Sequence, residues 1–307
     1  MLVLIVGITG DLGQRLAHAA LARGLRVRGL GRNPSKVKAE ITPKLESFVV
    51  SKAYYDITAI DEAMSGVDAI ICAYSMDPVL YLDGGLLMLR AAERAGVKIF
   101  VAPTWTSNWT NIKYGDFEIY DSIIAFADQA ARTSTIRPVY IINGAFAEYT
   151  LASLASGVQT FETDGKTAKL HYWGNVAKQK LPWTTMDDSA AWTIELLMNN
   201  KAILGGKGGI FQFQSGFNSY EELAKIYQDV TGVKVSLVCE GNVAELEKAL
   251  AHARKEKGKE RFLEYLYLAW SRIAVEGLWQ LQSPINLSHA KQPTTFEEHL
   301  RARSNKM

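Results

Sequence analysis

At 307 residues, with 48% of them hydrophobic and a formal net charge of +2, the chain can bury a large core as one large or two unequal domains. A charge so close to neutral provides no field to recruit nucleic acid or an anionic membrane, and no apolar run approaches the roughly 20 residues of a membrane span. Cys72 and Cys239, far apart in sequence, make no disulfide framework and point to a reducing compartment. The chain opens on a strand without the basic region and cleavage site of a signal peptide, so the expected location is cytoplasmic.

Leu2 to Val6 is a short, wholly apolar, partly β-branched run, the pattern of a strand buried on both faces. It empties into Gly7-Ile8-Thr9-Gly10-Asp11-Leu12-Gly13, and from Leu12 the apolar spacing turns helical. Strand, glycine loop and helix in that order make a mononucleotide-binding unit. Gly7 permits the tight turn, Gly10 lets the backbone approach a pyrophosphate, and Gly13 lets the helix pack against the strand. The spacing is G-x-x-G-x-x-G rather than the G-x-G-x-x-G of many two-domain dehydrogenases. Three glycines alone could mark an ordinary strand-to-helix turn; their position directly after an N-terminal strand favours a dinucleotide. The helix, running to about Arg23 and closed by Gly24, points its free N–H groups and positive end at the phosphates. Gly7, Thr9, Gly10, Asp11, Leu12 and Gly13 are therefore the first expected cofactor residues.

Leu25 to Leu30 reads as a second strand, ending in Gly31-Arg32-Asn33-Pro34-Ser35-Lys36, the turn where such folds meet the adenosine ribose. An acid there binds a free 2′-hydroxyl, whereas an arginine accommodates a 2′-phosphate. Arg32 stands in that turn, with Lys36 and Lys38 behind it and no acid before Glu40. The expected cofactor is therefore NADP(H), held by charge-assisted and bidentate pairing; a solvated basic loop is the plain alternative. Phe48 to Tyr55 looks like a third strand ending at Asp56, and Thr58 to Ser65 like a short helix. Asp68 to Ala73 is the fourth strand, whose end, Tyr74-Ser75-Met76, should face the cofactor. Gly84 to Ala95 has helical periodicity, and Val97 to Ala102 is a fifth strand. This alternation predicts an α/β fold with a parallel, doubly wound (Rossmann) sheet.

Pro103-Thr104-Trp105-Thr106-Ser107-Asn108-Trp109-Thr110-Asn111 is polar and aromatic without periodicity. It follows a parallel strand and so lies at the carboxyl edge, where ligands bind. A helix from Glu118 to Arg132 and a strand from Val139 to Asn143, broken at Gly144-Ala145-Phe146, complete a nucleotide-binding domain over residues 1–150. Asp56, Ala73, Tyr74, Ser75, Pro103, Asn143 and Phe146, at or near strand ends, are the further expected cofactor contacts. Residues 151–307 form a smaller α+β substrate lobe. Its expected elements are strands at Lys169 to Trp173, Gly209 to Gln214 and Val233 to Val238, and helices from near Asp187 and from Tyr220 to Thr231. Glu245 to Ala269 reads as mostly helix, and Thr295 to Arg301 as a short one in a loop-rich tail. The segment near 209–214 is expected to return to the main sheet.

The whole pattern resembles an atypical short-chain dehydrogenase/reductase of the NmrA-like, isoflavone-reductase-like group, particularly its fungal members. The resemblance rests on the glycine loop, Gly31-Arg32-Asn33-Pro34, Gly66-Val67-Asp68-Ala69 and Ala95-Gly96-Val97-Lys98-Ile99-Phe100. Asn143-Gly144-Ala145-Phe146 and Thr184-Thr185-Met186-Asp187-Asp188 complete it. It spans nearly the whole chain and weakens after about residue 240. It implies an NADP(H)-binding body and a smaller substrate lobe, with the nicotinamide in the cleft between. Many catalytic members carry Tyr-x-x-x-Lys on the helix after the fifth-strand loop. Here that helix reads Tyr120-Asp121-Ser122-Ile123-Ile124, and no lysine occurs between Lys113 and Lys166.

Tyr120 is the candidate proton donor, since a phenol with a reference pKa near 10 is protonated at neutral pH; helix packing is its alternative. Thr104 and Ser107 are candidate hydroxyls for a substrate carbonyl, or local loop bonds. Trp105 and Trp109 are a candidate aromatic wall for a flat apolar substrate, with His171 and Trp173 facing it from the second lobe. Thr185 and Asp187 precede an apolar helical run and read as helix caps. The five histidines show no metal-ligand spacing. Three functions remain open: an NADPH-dependent reductase of a small aromatic or polyketide-like substrate in specialised metabolism, a non-enzymatic redox sensor acting through a protein partner, and a non-redox enzyme on the same fold. A monomer and a homodimer are equally compatible.

Overall fold

The first strand, β1 (Leu2–Val6), is buried along its whole length, and its side chains divide between two cores. Val3 and Ile5 enter one apolar cluster, and Leu2, Leu4 and Val6 the other, the period-two division of a strand covered on both faces. A computed structural model describes residues 1–75, 77–150 and 161–304. Met76 and the expected start of the second lobe at residue 151 lie outside the described residues.

Along the first half follow α1 (Asp11–Ala22), β2 (Arg26–Gly31), β3 (Ser47–Val50), α2 (Ile57–Met64), β4 (Ala69–Cys72), α3 (Gly85–Arg94), β5 (Ile99–Val101), α4 (Glu118–Thr133) and β6 (Val139–Ile142). β3 is shorter than expected, because the chain turns at Ser51. There the Asp56 carboxylate takes the amides of Lys52 and Ala59 and becomes the cap of α2. A π-helical turn, Leu80–Gly84, precedes α3.

The second half contains β7 (Ala145–Phe146), α5 (Ala147–Thr150), β8 (Phe161–Thr163), β9 (Thr167–Tyr172), β10 (Leu181–Thr184), α6 (Met186–Asn199), α7 (Lys201–Leu204) and β11 (Gly209–Gln212). It closes with β12 (Gly216–Asn218), α8 (Tyr220–Thr231), β13 (Lys234–Cys239), α9 (Val243–Lys257), α10 (Leu266–Val275) and α11 (Phe296–Ser304). Capping boxes begin α8 (Ser219 with Glu222) and α9 (Asn242 with Glu245).

Seven parallel strands form the main sheet in the order β11-β6-β5-β4-β1-β2-β3. It is doubly wound. Leu16, Ala17 and Ala20 of α1 and Trp192, Ile194 and Leu196 of α6 cover one face, while side chains of α2, α3 and α4 cover the other. β11 pairs with β6, from Gly209 opposite Val139 to Gln212 opposite Ile142, so a strand from beyond residue 200 completes the sheet. Two three-stranded sheets, β12-β10-β7 and β13-β9-β8, make the α+β remainder.

The tail is anchored rather than loose. Asp188, wholly buried near the start of α6, accepts from Thr294 N at 2.8 Å, Thr294 Oγ1 at 2.9 Å and Ser215 Oγ at 2.5 Å, and pairs with Lys291. A carboxylate without water must be satisfied in this way. Among the described residues, no helix is long and apolar enough to cross a membrane.

Candidate functional site

A cavity of about 430 Å³ opens at the carboxyl edge of the sheet, between the glycine loop and residues of α8 and α10. At its floor Gly7 adopts φ +76°, and a Cβ there would stand 2.7 Å from the Ala73 carbonyl oxygen. One on Gly13 would stand 2.3 Å from the Gly7 oxygen. Only glycine allows the loop to lie this close to β4 and α1 to sit this close to the loop. Gly10 is the N-cap of α1 and offers no side chain to it, so the first amides and the positive end of the helix stay free for a ligand. That cradle fits a dinucleotide pyrophosphate.

Of the residues expected at the cofactor, Gly10, Asp11, Leu12, Gly13, Ala73, Tyr74, Ser75, Pro103 and Phe146 border this one cavity. Gly7 lies beneath the loop, and Thr9 packs its methyl toward Gly31. Arg32 and Lys36 stand exposed beyond β2, and among the described residues no side-chain bond or ion pair engages either one. The structure does not bring Asp56 or Asn143 to the cavity. Asp56 is spent on the α2 cap. Asn143 is buried, its side chain donating Nδ2–H to Ser189 Oγ at 2.9 Å and its backbone carbonyl accepting from Thr184 Oγ1 at 2.5 Å.

Tyr120 borders the cavity from α4. Its hydroxyl lies 2.8 Å from Thr106 Oγ1, and Ser107 approaches the same phenol without a well-formed bond from its own hydroxyl. Burial pushes the Tyr120 phenol up to about 12, against the smaller opposing pull of these two residues. Thr104, by contrast, is turned away: its Oγ1 accepts from Ile141 N at 2.9 Å and is spent on the sheet edge. Trp105 borders the cavity, its indole fixed by donation to Thr193 Oγ1 at 3.0 Å.

Trp109, His171 and Trp173 lie elsewhere. Trp109 packs edge-on against Tyr140, ring centroids 5.5 Å apart. His171 is on β9 in the outer sheet, where it pairs with Glu240 and Glu162. Trp173, just past that strand, packs by Gly241. The expectation that His171 and Trp173 face a substrate is corrected by the position of β9 against β13 and β8, and that for Trp109 by its burial against Tyr140.

Other side chains complete the wall from distant stretches: Tyr81 before α3, Phe117 and Ile119 around the start of α4, Tyr220 at the start of α8, and Leu266 and Trp270 of α10. No pattern in the sequence marks them as sharing a site. Glu148 also escaped notice. Its carboxylate accepts from Met186 N at 2.9 Å at the head of α6, and burial raises its pKa despite that bond. Among the described residues no lysine, arginine or histidine borders the cavity, and no cluster could hold a metal. The site thus offers neutral hydroxyl donors on apolar and aromatic walls, beside a phosphate cradle.

The NmrA-like family model matches residues 1–264. An "NmrA-like family domain-containing oxidoreductase himF" of Aspergillus japonicus is 23% identical over 262 residues, covering 80% of this chain and 78% of that protein. Among solved structures, an isoflavone reductase superposes with a TM-score of 0.76 at 18% identity, covering 98% of this chain and 99% of the other. The binary complex of leucoanthocyanidin reductase and NADPH from Vitis vinifera gives 0.75 at 16%, covering 100% of both chains. At these identities the structural likeness is one of fold.

Proposed function

The chain belongs to the NmrA-like family, and from that premise we propose that it is an NADPH-dependent reductase of a small aromatic or polyketide-like substrate, acting on a carbonyl or a conjugated double bond. One observation carries the reading: a single cavity of about 430 Å³ runs from the glycine cradle to a protonated phenol, between apolar and aromatic walls. Its size is that of a small-molecule pocket, and the walls suit a flat, uncharged ring. The leucoanthocyanidin reductase structure, which contains NADPH, supports the choice of cofactor.

In this reading the amides at the head of α1 hold the pyrophosphate, and Arg32 pairs with the 2′-phosphate. NADPH, when bound, supplies a hydride to a substrate carbon. Tyr120, with its pKa pushed up to about 12, stays protonated at neutral pH and gives its proton to the oxygen on which negative charge develops. With Ile123 and Ile124 where related enzymes carry an ammonium, little phenolate forms to accept a proton. Reduction is therefore favoured over oxidation of the product. Trp105, pinned through its indole N–H, is a rigid wall for the ring.

The test is NADPH consumption with aromatic ketones, enones and quinones. Tyr120→Phe should lower the rate by about 10²–10⁴. Arg32→Ala should weaken NADPH about ten- to a hundredfold and leave NADH unchanged. Tight NADPH binding with no turnover of any substrate would replace this reading with a redox sensor.

A further inference from the structure

The approach to α3 is built unusually. Asp77 closes it, its Oδ1 accepting from Val79 N at 2.9 Å and Leu80 N at 3.1 Å, and its carbonyl accepting from Tyr81 N at 2.9 Å. Leu80–Gly84 then winds as one π-helical turn before the α-helix begins. Such turns are rare and gather at functional sites. This one is pressed hard against the body: a Cβ on Gly84 would stand 3.0 Å from the Tyr74 ring, and one on Gly85 3.2 Å from the Phe126 ring.

The turn carries Tyr81. Its side chain is 5% exposed, shares an apolar cluster with Tyr120, and borders the cavity. Its hydroxyl has no hydrogen-bond partner among the described residues. A hydroxyl that donates to nothing in the fold and stands at the cavity wall is placed to donate to a ligand atom there. Burial first, and then the neighbouring Tyr120, raises the Tyr81 pKa. Both phenols are therefore neutral donors across the physiological range.

We propose that Tyr81 is a second hydroxyl donor to the substrate, which with Tyr120 holds the oxygen that becomes negative during reduction, in a cavity that no lysine among the described residues borders. The inference rests on the reductase reading of this cavity. In that reaction a substrate carbon gains a hydride from NADPH, and the π electrons of its carbonyl or enone system pass to oxygen. That oxygen takes a proton from Tyr120, which recovers one from solvent. Tyr81 keeps its own proton and donates a hydrogen bond to the oxygen throughout, as a preorganised oxyanion donor.

The experiment compares wild type, Tyr81→Phe and Tyr120→Phe in two readouts. The first is turnover: Tyr81→Phe should lower kcat by about 10²–10³ with NADPH Kd and Tm unchanged, because the hydroxyl it removes bonds to nothing in the fold. The second needs no turnover. 4-Nitrophenol, whose anion is yellow, is titrated against the protein alone and the NADP⁺-loaded protein across a pH series. Two donors at one oxygen should lower the apparent pKa of the bound probe, and Tyr81→Phe should reverse that shift and weaken binding at least tenfold. Identical titration of the bound probe by wild type and Tyr81→Phe overturns the proposal, as does a loss of Tm in parallel with binding. Tyr81-dependent binding of the nitrophenolate in a protein that reduces nothing supports the phenol pair and overturns only the reductase reading.

Discussion

Replacing Gly13 with alanine separates the two things a glycine does at the head of α1. Gly13 lies inside the helix, so propensity alone favours alanine there by about 1 kcal/mol. Against this, the new Cβ would meet the Gly7 oxygen at 2.3 Å and the Ile8 Cα at 2.9 Å, where ordinary contact begins at 3.4 Å. Both obstacles are backbone and cannot rotate away, so the first turn of α1 must lift from the loop. Overpacking of this kind costs about 1–3 kcal/mol, which leaves a net loss of stability between nothing and about 2 kcal/mol. Binding should suffer more, because the same lift carries the helix-head amides away from the pyrophosphate. Losing one charge-assisted hydrogen bond costs about 1.5–3 kcal/mol, or about ten- to a hundredfold in affinity. Calorimetric titration with NADPH, paired with urea unfolding, measures both quantities on one preparation. Gly24→Ala is the control: its φ is +74° but nothing lies within 4 Å of its Cβ, so it should lose about 1 kcal/mol from backbone strain and no affinity. Wild-type NADPH affinity in Gly13→Ala, or an equal affinity loss in Gly24→Ala, would refute the close-approach argument.

Two further outcomes follow from groups outside the cavity. Asp188→Ala leaves Lys291 without its buried partner; breaking such a pair costs about 3–5 kcal/mol, and with Lys291 able to rehydrate the loss should be near 3 kcal/mol, read by urea denaturation and contradicted by a loss under about 1 kcal/mol. Burial, with Arg303 and Arg15 adding to it, holds His299 down at about 4 from its ordinary 6.5. The unfolded chain therefore takes up a proton that the folded site refuses, and stability falls as pH drops from 6.5 toward 4; His299→Gln should flatten that limb of a Tm-against-pH curve, and an unchanged limb would assign the acid sensitivity to other groups.

Much of the nucleotide-binding body was legible because its signals are local. Five apolar residues, a glycine turn and an amphipathic helix adjoin one another, so β1, the loop and α1 follow from neighbouring residues alone. Even the return of β11 to the sheet leaves a trace, since Gly209 to Gln214 reads as a strand on its own, and Gly209–Gln212 forms one. The main departures in this body were at ends: β3 stops at Val50 because Asp56 draws the chain into a turn, which strand propensity does not register.

The cavity was decided by tertiary structure. The loop after β5 has no period, so nothing in its sequence tells that Thr106 meets Tyr120 while Thr104 turns back to Ile141 N. His171 and Trp173 look suited to a substrate wall, yet the pairing of β9 with β13 and β8 carries them to the outer sheet. Tyr81, Tyr220 and Trp270 come from a π-turn and two helices distant in the chain, and they converge only once α4, α8 and α10 have packed around one space. Local spacing determines which backbone forms, because hydrogen bonds and side-chain periods act over a few residues. Which side chains face one another across a cavity depends on long-range packing, and the chain determined that only by folding.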